Sequence, residues 1–341
     1  MKIAFFDTRD YDREFFDQQN LKFKHEIVYF EPRLTTQTAL LAKEFPCVCC
    51  FVNDRLDVET LCVLACKEFK LIALRSAGYN NVDLVEAEKL GLTIVRVPAY
   101  SPHAVAEHAV GLIQALNRKI HRAYGRVRDF NFSISGFVGF DLNGKTVGVI
   151  GTGRIGAVFA RIMKLGFGCK VLAYDLEPNS ALIQDKIVSY VDLPTLYKES
   201  DVISLHVPLT PSTHHVINGC ALSQMKPGVL LVNTGRGALI DSKSLIEHLK
   251  AGHIGGAGLD VYEQEEGVFF ADLSNQVIQD DVLARLLSFP NVLVTSHQGF
   301  FTREALTHIA ETTLQSITDF EAGHPLVNRI QVEKTIQRKT T

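Results

Sequence analysis

An arginine and a histidine in the second half of the chain each accompany an apolar run that is typical of a buried strand. Arg236 comes just after the run VLLVN, and His297 ends the run VLVTSH. A guanidinium can hold a carboxylate through two parallel hydrogen bonds and can polarise a carbonyl beside it. A protonated imidazole can donate to the oxygen of a carbonyl that is being reduced, and the neutral ring can take that proton back. The two residue types indicate chemistry on a small acid that carries a carbonyl next to its carboxylate.

An acidic segment, EQEE at residues 263–266, lies between this arginine and this histidine in the sequence. A glutamate that accepts a hydrogen bond from the second ring nitrogen of His297 would favour the protonated imidazole. The chemistry alone does not choose among the three glutamates of the segment.

Three glycines form a turn between a predicted strand and a predicted helix near the middle of the chain. Gly151, Gly153 and Gly156 follow the run TVGVI with the spacing G-x-G-x-x-G. The first glycine permits a tight turn, the second lets a pyrophosphate approach the backbone, and the third lets the helix pack close to the strand. Asp175 ends the next strand, roughly 20 residues on, where a carboxylate can bond ribose hydroxyls and repel a 2′-phosphate. The pattern predicts NAD rather than NADP as the cofactor.

The elements that must position these residues alternate between short apolar runs and amphipathic stretches. The runs that predict strands are residues 2–6, 26–30, 47–52, 71–74 and 93–97, and then 146–150, 170–174, 202–207, 229–233, 255–261 and 292–297. Such alternation predicts parallel sheets with helices on both faces. One long helix is predicted over 101–129, with Ser101 as its N-cap and Pro102 as its first residue, and a closing helix over 303–322.

We therefore expect an α/β protein with two Rossmann-like or flavodoxin-like domains that contain parallel sheets. Residues 101–298 would form an NAD-binding Rossmann domain. That domain would be inserted into a discontinuous substrate-binding (catalytic) domain made of residues 1–100 and 299–341.

Composition narrows the range of partners and compartments. The net charge is −3 with 46% hydrophobic residues, and no long basic tract is present, so neither nucleic acid nor a membrane surface is an expected partner. The opening MKIAFFDTRD does not resemble a signal peptide, and no apolar run of about 18 residues could span a bilayer. Seven cysteines in apolar surroundings suit a reducing cytoplasm. The run CVCC lies in an apolar stretch, and neither it nor the pair Cys62 and Cys66 has an adjoining histidine cluster to complete a site, so no metal is expected.

Three motifs in the second half resemble those of the D-isomer-specific 2-hydroxyacid dehydrogenase family: VNTGRGALID (232–241), GLDVYEQE (258–265) and TSHQGF (295–300). The likeness extends back through VPAYSPHAVAEHA (97–109) to RSAGYNNVD (75–83). In that family these motifs supply Arg, Glu and His in this order, so the resemblance implies that Arg236, Glu265 and His297 are catalytic. It implies hydride transfer between NAD(H) and a 2-oxo or 2-hydroxy acid, and it places Asp260 near the nicotinamide or Arg236, where its charge would tune the site.

The first domain is expected to hold the substrate on its other side. The backbone N–H groups of Ala77 and Gly78 could bind the substrate carboxylate, and the resemblance places the Tyr100 hydroxyl against the substrate. Phe300 and its neighbour Phe301 suggest a small apolar pocket. Further candidate cofactor contacts are Arg154, Ile155, Val207, Pro208, Thr213, Thr234, Asp260 and His297.

The length of segment 263–290 resembles the D-lactate branch of the family, and a small apolar pocket suits a methyl side chain. We expect NADH to reduce pyruvate to D-lactate. A glyoxylate/hydroxypyruvate reductase, or a broader D-2-hydroxyacid dehydrogenase, is the alternative, and an NAD-sensing corepressor-like binding protein is a remote one. The apolar helix 101–129 and the arm FNFSISGFVGF (130–140) predict a homodimer or homotetramer.

Overall fold

The computed structural model describes residues 1–65, 69–265 and 267–331, so Cys66 and Glu266 of the sequence motifs lie outside the described residues. The strands in chain order are β1 (Lys2–Phe5), β2 (Glu26–Tyr29), β3 (Cys47–Cys50), β4 (Leu71–Leu74), β5 (Thr93–Arg96), β6 (Thr146–Ile150), β7 (Lys170–Tyr174), β8 (Ser189–Tyr190), β9 (Val202–Leu205), β10 (Val229–Asn233), β11 (Ile254–Leu259) and β12 (Val292–Val294).

The helices in chain order are α1 (Asp10–Phe23), α2 (Val58–Leu64), α3 (Leu84–Lys89), α4 (Pro102–Asn117), α5 (Ile120–Arg128), α6 (Arg154–Arg161), α7 (Ser180–Gln184), α8 (Leu193–Glu199), α9 (Gly219–Gln224), α10 (Ser242–Lys250), α11 (Asp281–Ser288) and α12 (Arg303–Glu321). Short 3-10 turns cover Thr38–Ala42 and Gly237–Leu239, and a π-helical turn covers Ile162–Gly166.

The chain forms two compact units. The first contains Met1–Ser101 and Phe300–Thr341, and the second contains Pro102–Gly299. Each of the two boundaries between the units lies one residue after the boundary that the sequence predicts. The second unit is thus an uninterrupted segment inserted into the chain of the first.

The first unit contains a five-stranded parallel sheet with the order β2-β1-β3-β4-β5. Its central strands β3 and β4 are buried along their whole length, which explains why their sequences CVCC and LIAL are apolar without alternation. The strand order reverses between β1 and β3. In open α/β sheets, ligands bind outside the carboxyl ends of the strands at such a reversal.

The second unit contains a seven-stranded parallel sheet with the order β12-β11-β10-β9-β6-β7-β8. Counted from β6, this is the doubly wound order of a dinucleotide-binding domain with one added strand. The reversal lies between β6 and β9, which are paired neighbours. The glycine loop follows β6, so the sheet places that loop where a ligand is expected. The α/β class and the two parallel sheets agree with the prediction.

One predicted element is wrong. The helix expected over 101–129 is two helices, because α4 ends at Asn117 and Lys119 adopts a left-handed φ of 52° before α5. The Asn117 side chain donates to the Phe140 carbonyl (2.7 Å) and accepts from the Phe140 N–H (2.8 Å). The helix therefore ends where the returning chain binds its last side chain. No helix among the described residues is both long enough and apolar enough to cross a membrane.

Candidate active site

The glycine loop between β6 and α6 has the geometry that a dinucleotide requires. Gly151 has a φ of 95°, and a Cβ there would lie 2.7 Å from the His206 carbonyl group. A Cβ on Gly156 would overlap the Gly151 carbonyl oxygen, so only glycine lets α6 begin this close to β6. Gly153 has no atom within 4 Å of its Cβ position, which leaves its backbone open to a diphosphate. The residues of this loop fit NAD.

His206 packs against this loop at Gly151, and its ring is neutral. Burial lowers the pKa of His206 to about 3. Its Nε2 lies 2.9 Å from the Ser204 hydroxyl, and its backbone N–H donates to the Ile150 carbonyl. The ring therefore carries no charge near neutral pH and acts at Gly151 by packing alone.

The Asp175 carboxylate braces the glycine loop from the end of β7. Its Oδ2 accepts hydrogen bonds from the Thr152 N–H (2.6 Å) and the Thr152 hydroxyl (3.0 Å), and its Oδ1 accepts from the Glu177 N–H (3.1 Å). The sequence predicts that Asp175 binds the ribose, but it does not identify Thr152 as the hydrogen-bond partner of Asp175. Oδ1, which accepts one of these three bonds, retains capacity for a ribose hydroxyl.

The other candidate cofactor contacts lie around the same sheet edge. Arg154 and Ile155 open α6, while Val207 and Pro208 follow β9. The Thr213 hydroxyl donates to the Pro208 carbonyl at 2.6 Å and closes the turn between them. Thr234 follows β10, and its buried hydroxyl oxygen has no hydrogen-bond partner within the described part of the chain. A buried hydroxyl left without a partner marks a place where a ligand can bind.

Arg236 stands on a loop that is packed backbone to backbone against the segment containing the acidic residues. Its carbonyl accepts from the Asn233 side chain (2.8 Å), and its Nη1 donates to the Gly235 carbonyl (2.8 Å). A Cβ on Gly237 would overlap the Tyr262 carbonyl group and the Glu263 nitrogen. The missing side chain at Gly237 therefore sets the separation between the arginine loop and the glutamate loop.

The structure brings His297 and Glu265 together. His297 Nδ1 lies 3.1 Å from Glu265 Oε1, and Glu265 Oε2 accepts from the Tyr262 N–H at 3.3 Å. Glu263 points elsewhere and pairs with His215. His297 Nε2 makes no hydrogen bond to the residues that the structure describes, so it remains available to a ligand. Of the two described glutamates in the acidic segment, Glu265 is the one in contact with the histidine.

Asp260 holds the turn that presents His297. Its carboxylate accepts from the N–H groups of Gln298 and Gly299, both at 2.8 Å, and from the Thr295 hydroxyl at 2.7 Å. Burial raises the pKa of Asp260, but hydrogen bonds from His108 and Thr295 outweigh this and hold it below its ordinary value. His297 itself has a left-handed φ of 57°. The family resemblance implies that Asp260 acts through its charge. The structure adds a mechanical role, because the Asp260 hydrogen bonds hold the turn at His297.

The first unit presents its candidate residues after β4 and at its aromatic cluster. The carbonyls of Ala77 and Gly78 accept from the Arg96 guanidinium (2.7 Å) and the Ser76 hydroxyl (2.8 Å). Within the described chain, nothing accepts a hydrogen bond from the N–H of Ala77 or Gly78. Those two donors are therefore free to bind a carboxylate.

Phe300 packs in an aromatic cluster with Tyr100 and with a residue that the sequence analysis missed. Its ring centroid lies 6.2 Å from that of Tyr100 and 6.0 Å from that of Phe51. Phe51 follows β3, next to the strand-order reversal, and its ring lies 4.9 Å from the buried Arg75 guanidinium. Its position after a strand at the reversal was the signal that could have identified it.

Comparisons with known proteins match this architecture over nearly the whole chain. The family model described as D-isomer specific 2-hydroxyacid dehydrogenase, NAD binding domain, matches residues 110–299. The D-lactate dehydrogenase of Escherichia coli (strain K12) is 53% identical over 330 residues, 97% of this chain and 100% of the relative.

Solved structures show the same likeness. The pyruvate reductase of Chlamydomonas reinhardtii superposes with a TM-score of 0.91 at 46% identity, covering 96% of this chain and 98% of that one. A D-lactate dehydrogenase with NAD+ from Lactobacillus jensenii has a TM-score of 0.82 at 32% identity, covering 97% of this chain and 100% of that one.

The contact between Gly156 and Gly151 leads to a test of the cofactor loop. Gly156→Ala is expected to weaken NADH binding by more than about tenfold, or about 1.4 kcal/mol, because the new methyl group displaces the start of α6. A fluorescence titration of NADH measures the Kd, and circular dichroism verifies that the variant folds. Gly166→Ala is the matched control, since a Cβ at Gly166 meets no atom within 4 Å. Equal NADH affinity in the two variants would contradict this account of the loop.

Proposed function

The chain belongs to the D-isomer-specific 2-hydroxyacid dehydrogenase family, and we propose that it is an NAD-dependent D-lactate dehydrogenase that reduces pyruvate. The family makes it an oxidoreductase that acts on a CH–OH group with NAD. The observation that carries the proposal is the pairing of His297 with Glu265 in the same unit as the glycine loop. The name of the Escherichia coli relative, 53% identical, supports pyruvate and D-lactate as the substrate pair.

The proposed mechanism divides the work among three side chains. NADH, when bound, supplies the hydride that adds to C2 of pyruvate. Arg236 binds the substrate and polarises its carbonyl, and protonated His297 gives the Nε2 proton to the oxygen of that carbonyl. Glu265 keeps the ring in position through Nδ1, so that Nε2 faces the substrate. In the oxidation direction, neutral His297 removes the hydroxyl proton of D-lactate.

We further assign the substrate-binding role of the first unit to its backbone donors and its aromatic cluster. The N–H groups of Ala77 and Gly78 would hold the carboxylate of pyruvate, since both donors are free. Tyr100, Phe300 and Phe51 would surround the methyl group, because their rings pack as one apolar cluster.

We also propose that the protein is a cytoplasmic homodimer or homotetramer. Most side chains of α5 and the following arm are exposed, including these apolar ones, which are each more than half exposed: Ile120, Tyr124, Val127, Phe130, Phe132, Ile134 and Val138. A groove of about 790 Å³ lies along α5 and the end of α4, and Ile120, Tyr124 and Val127 line it together with Gln114, Arg118, Ala123 and Arg128. Contiguous apolar surface of this kind supports an interface between copies of the chain. The cysteines among the described residues are free thiols, which supports a reducing compartment.

The proposal is tested by following NADH absorbance with purified protein and pyruvate, and by assigning the enantiomer of the lactate formed. We expect rapid oxidation of NADH, D-lactate as the product, and slower turnover with glyoxylate and hydroxypyruvate. L-lactate as the product would refute the stereochemical assignment. Faster turnover of glyoxylate would favour the reductase alternative instead.

Removal of the proposed acid should lower turnover far more than it weakens cofactor binding. His297→Asn is expected to lower kcat by about 10² to 10⁴-fold, the usual contribution of a general acid or base. Glu265→Gln should cost less, because the ring that carries the proton is still present. The Kd for NADH, measured by fluorescence, should be unchanged in Glu265→Gln and should change far less than kcat in His297→Asn. A His297→Asn enzyme with near-normal kcat would exclude the histidine from proton transfer.

The backbone contact at Gly237 gives a second test of the assembled site. Gly237→Ala is expected to lower kcat by about 10²-fold. A methyl group there displaces the Arg236 loop from the segment that contains Glu265, and a small misplacement of reacting groups costs much of the rate. Gly219→Ala is the control, since its nearest neighbour is a flexible Ser244 side chain at 3.4 Å. Unchanged kcat in Gly237→Ala would show that the spacing of the two loops does not limit the reaction.

A further inference from the structure

We propose a binding site for a divalent transition metal such as Zn²⁺ at His214, His215 and Glu263. The site lies in the second unit (Pro102–Gly299), the cofactor unit. The ligand atoms of these three residues all lie within 4.8 Å of one another. His215 Nε2 and Glu263 Oε1 are 2.7 Å apart. None of the three residues is among the proposed catalytic or cofactor-binding residues, and occupation of the site can be measured without any assay of activity.

The backbone brings two consecutive histidines to the same side of the chain. Successive side chains in an extended segment normally point to opposite faces. Here His215 has a left-handed φ of 50°, and the rings of His214 and His215 stack with their centroids 3.9 Å apart and their planes at 28°. The pair therefore presents two imidazoles to one small region of the surface.

This arrangement is fixed by contacts with neighbouring segments of the same unit. The His215 N–H donates to the Ala238 carbonyl at 2.9 Å, and Ile217 forms a bridge with Ile240 two positions further along each segment. Glu263 accepts from the Ser242 N–H through its second oxygen at 3.4 Å. Because the segments that carry His215 and Glu263 are held, two of the three ligands are preorganised and less ordering is needed when an ion binds.

The donor set selects the class of ion. Two imidazole nitrogens and one carboxylate oxygen match the ligands that proteins use for zinc and its neighbours, with water completing the coordination. Mg²⁺ and Ca²⁺ prefer sites made of oxygen atoms alone and should compete poorly. His214 is exposed, while His215 and Glu263 are about 30% and 25% exposed, so an ion can reach the ligands from solvent.

No sequence motif indicates this site, and the cysteines alone predict that no metal binds. His215 and Glu263 are 48 residues apart, so no short motif joins them. Among the described residues, these three are the group of histidine, cysteine and acidic side chains whose ligand atoms converge closely enough for one ion.

The test measures Zn²⁺ binding to the full-length chain by isothermal titration calorimetry in a buffer with a non-thiol reductant. Wild type should bind one Zn²⁺ per chain, and millimolar Mg²⁺ should not displace it. His214→Ala and Glu263→Gln should each weaken binding by at least about tenfold, or about 1.4 kcal/mol. His214→Ala decides the test if Glu263→Gln fails to fold, since His214 is exposed and has no hydrogen-bonded side-chain partner among the described residues.

His103→Ala is the matched control. His103 is an exposed histidine with one carboxylate nearby, Glu107 Oε1 at 3.9 Å, and it should leave the Zn²⁺ affinity unchanged. An exposed thiol is also a zinc ligand in general, so Cys62→Ser and Cys220→Ser form a second control pair that should leave the stoichiometry and the affinity unchanged. The proposal is overturned if wild type binds no Zn²⁺, or if His214→Ala binds it as tightly as His103→Ala does.

Discussion

The Asp260 carboxylate is the point at which three segments of the cofactor unit are joined. It accepts hydrogen bonds from the N–H groups of Gln298 and Gly299, and His108 Nε2 on α4 lies 3.2 Å from its Oδ1. These bonds hold the left-handed turn that aims His297 at Glu265. A buried carboxylate with this many donors is stable as an anion because both of its oxygens accept hydrogen bonds. The position of the proposed proton donor thus depends on a residue that transfers no proton itself.

Missing side chains set the other critical distances. At Gly156 the absence of a Cβ brings α6 against β6, and at Gly237 it brings the Arg236 loop against the segment that contains Glu265. Backbone-to-backbone contacts of this kind tolerate little adjustment, because neither side has a rotamer to change. The glycine loop and the loops of the proposed catalytic residues Arg236 and Glu265 are therefore built in the same way, on close backbone contacts.

The sequence predicted the strands and the glycine loop because their signals are local. Apolar runs identified eleven of the strands, and a run too short to register, Ser189–Tyr190, was missed. The family was also recognised from motifs. What failed depends on distant partners: the break after Asn117 needs Phe140, and the pairing of His215 needs Glu263. The mechanical role of Asp260 could not be read either, because its donors come from two other segments of the chain.

The insertion of one unit into the other has a consequence for the order of events during synthesis. Residues 1–101 form the sheet of the first unit, but α12 packs against α1 and β4 and lies beyond the entire second unit. Ile309, Leu314 and Ile317 of α12 are buried in the finished unit. A nascent chain therefore completes the cofactor unit while its first hundred residues still expose the surface that α12 covers. The segment that is made first therefore belongs to a unit that can finish folding only after the whole second unit has been synthesised.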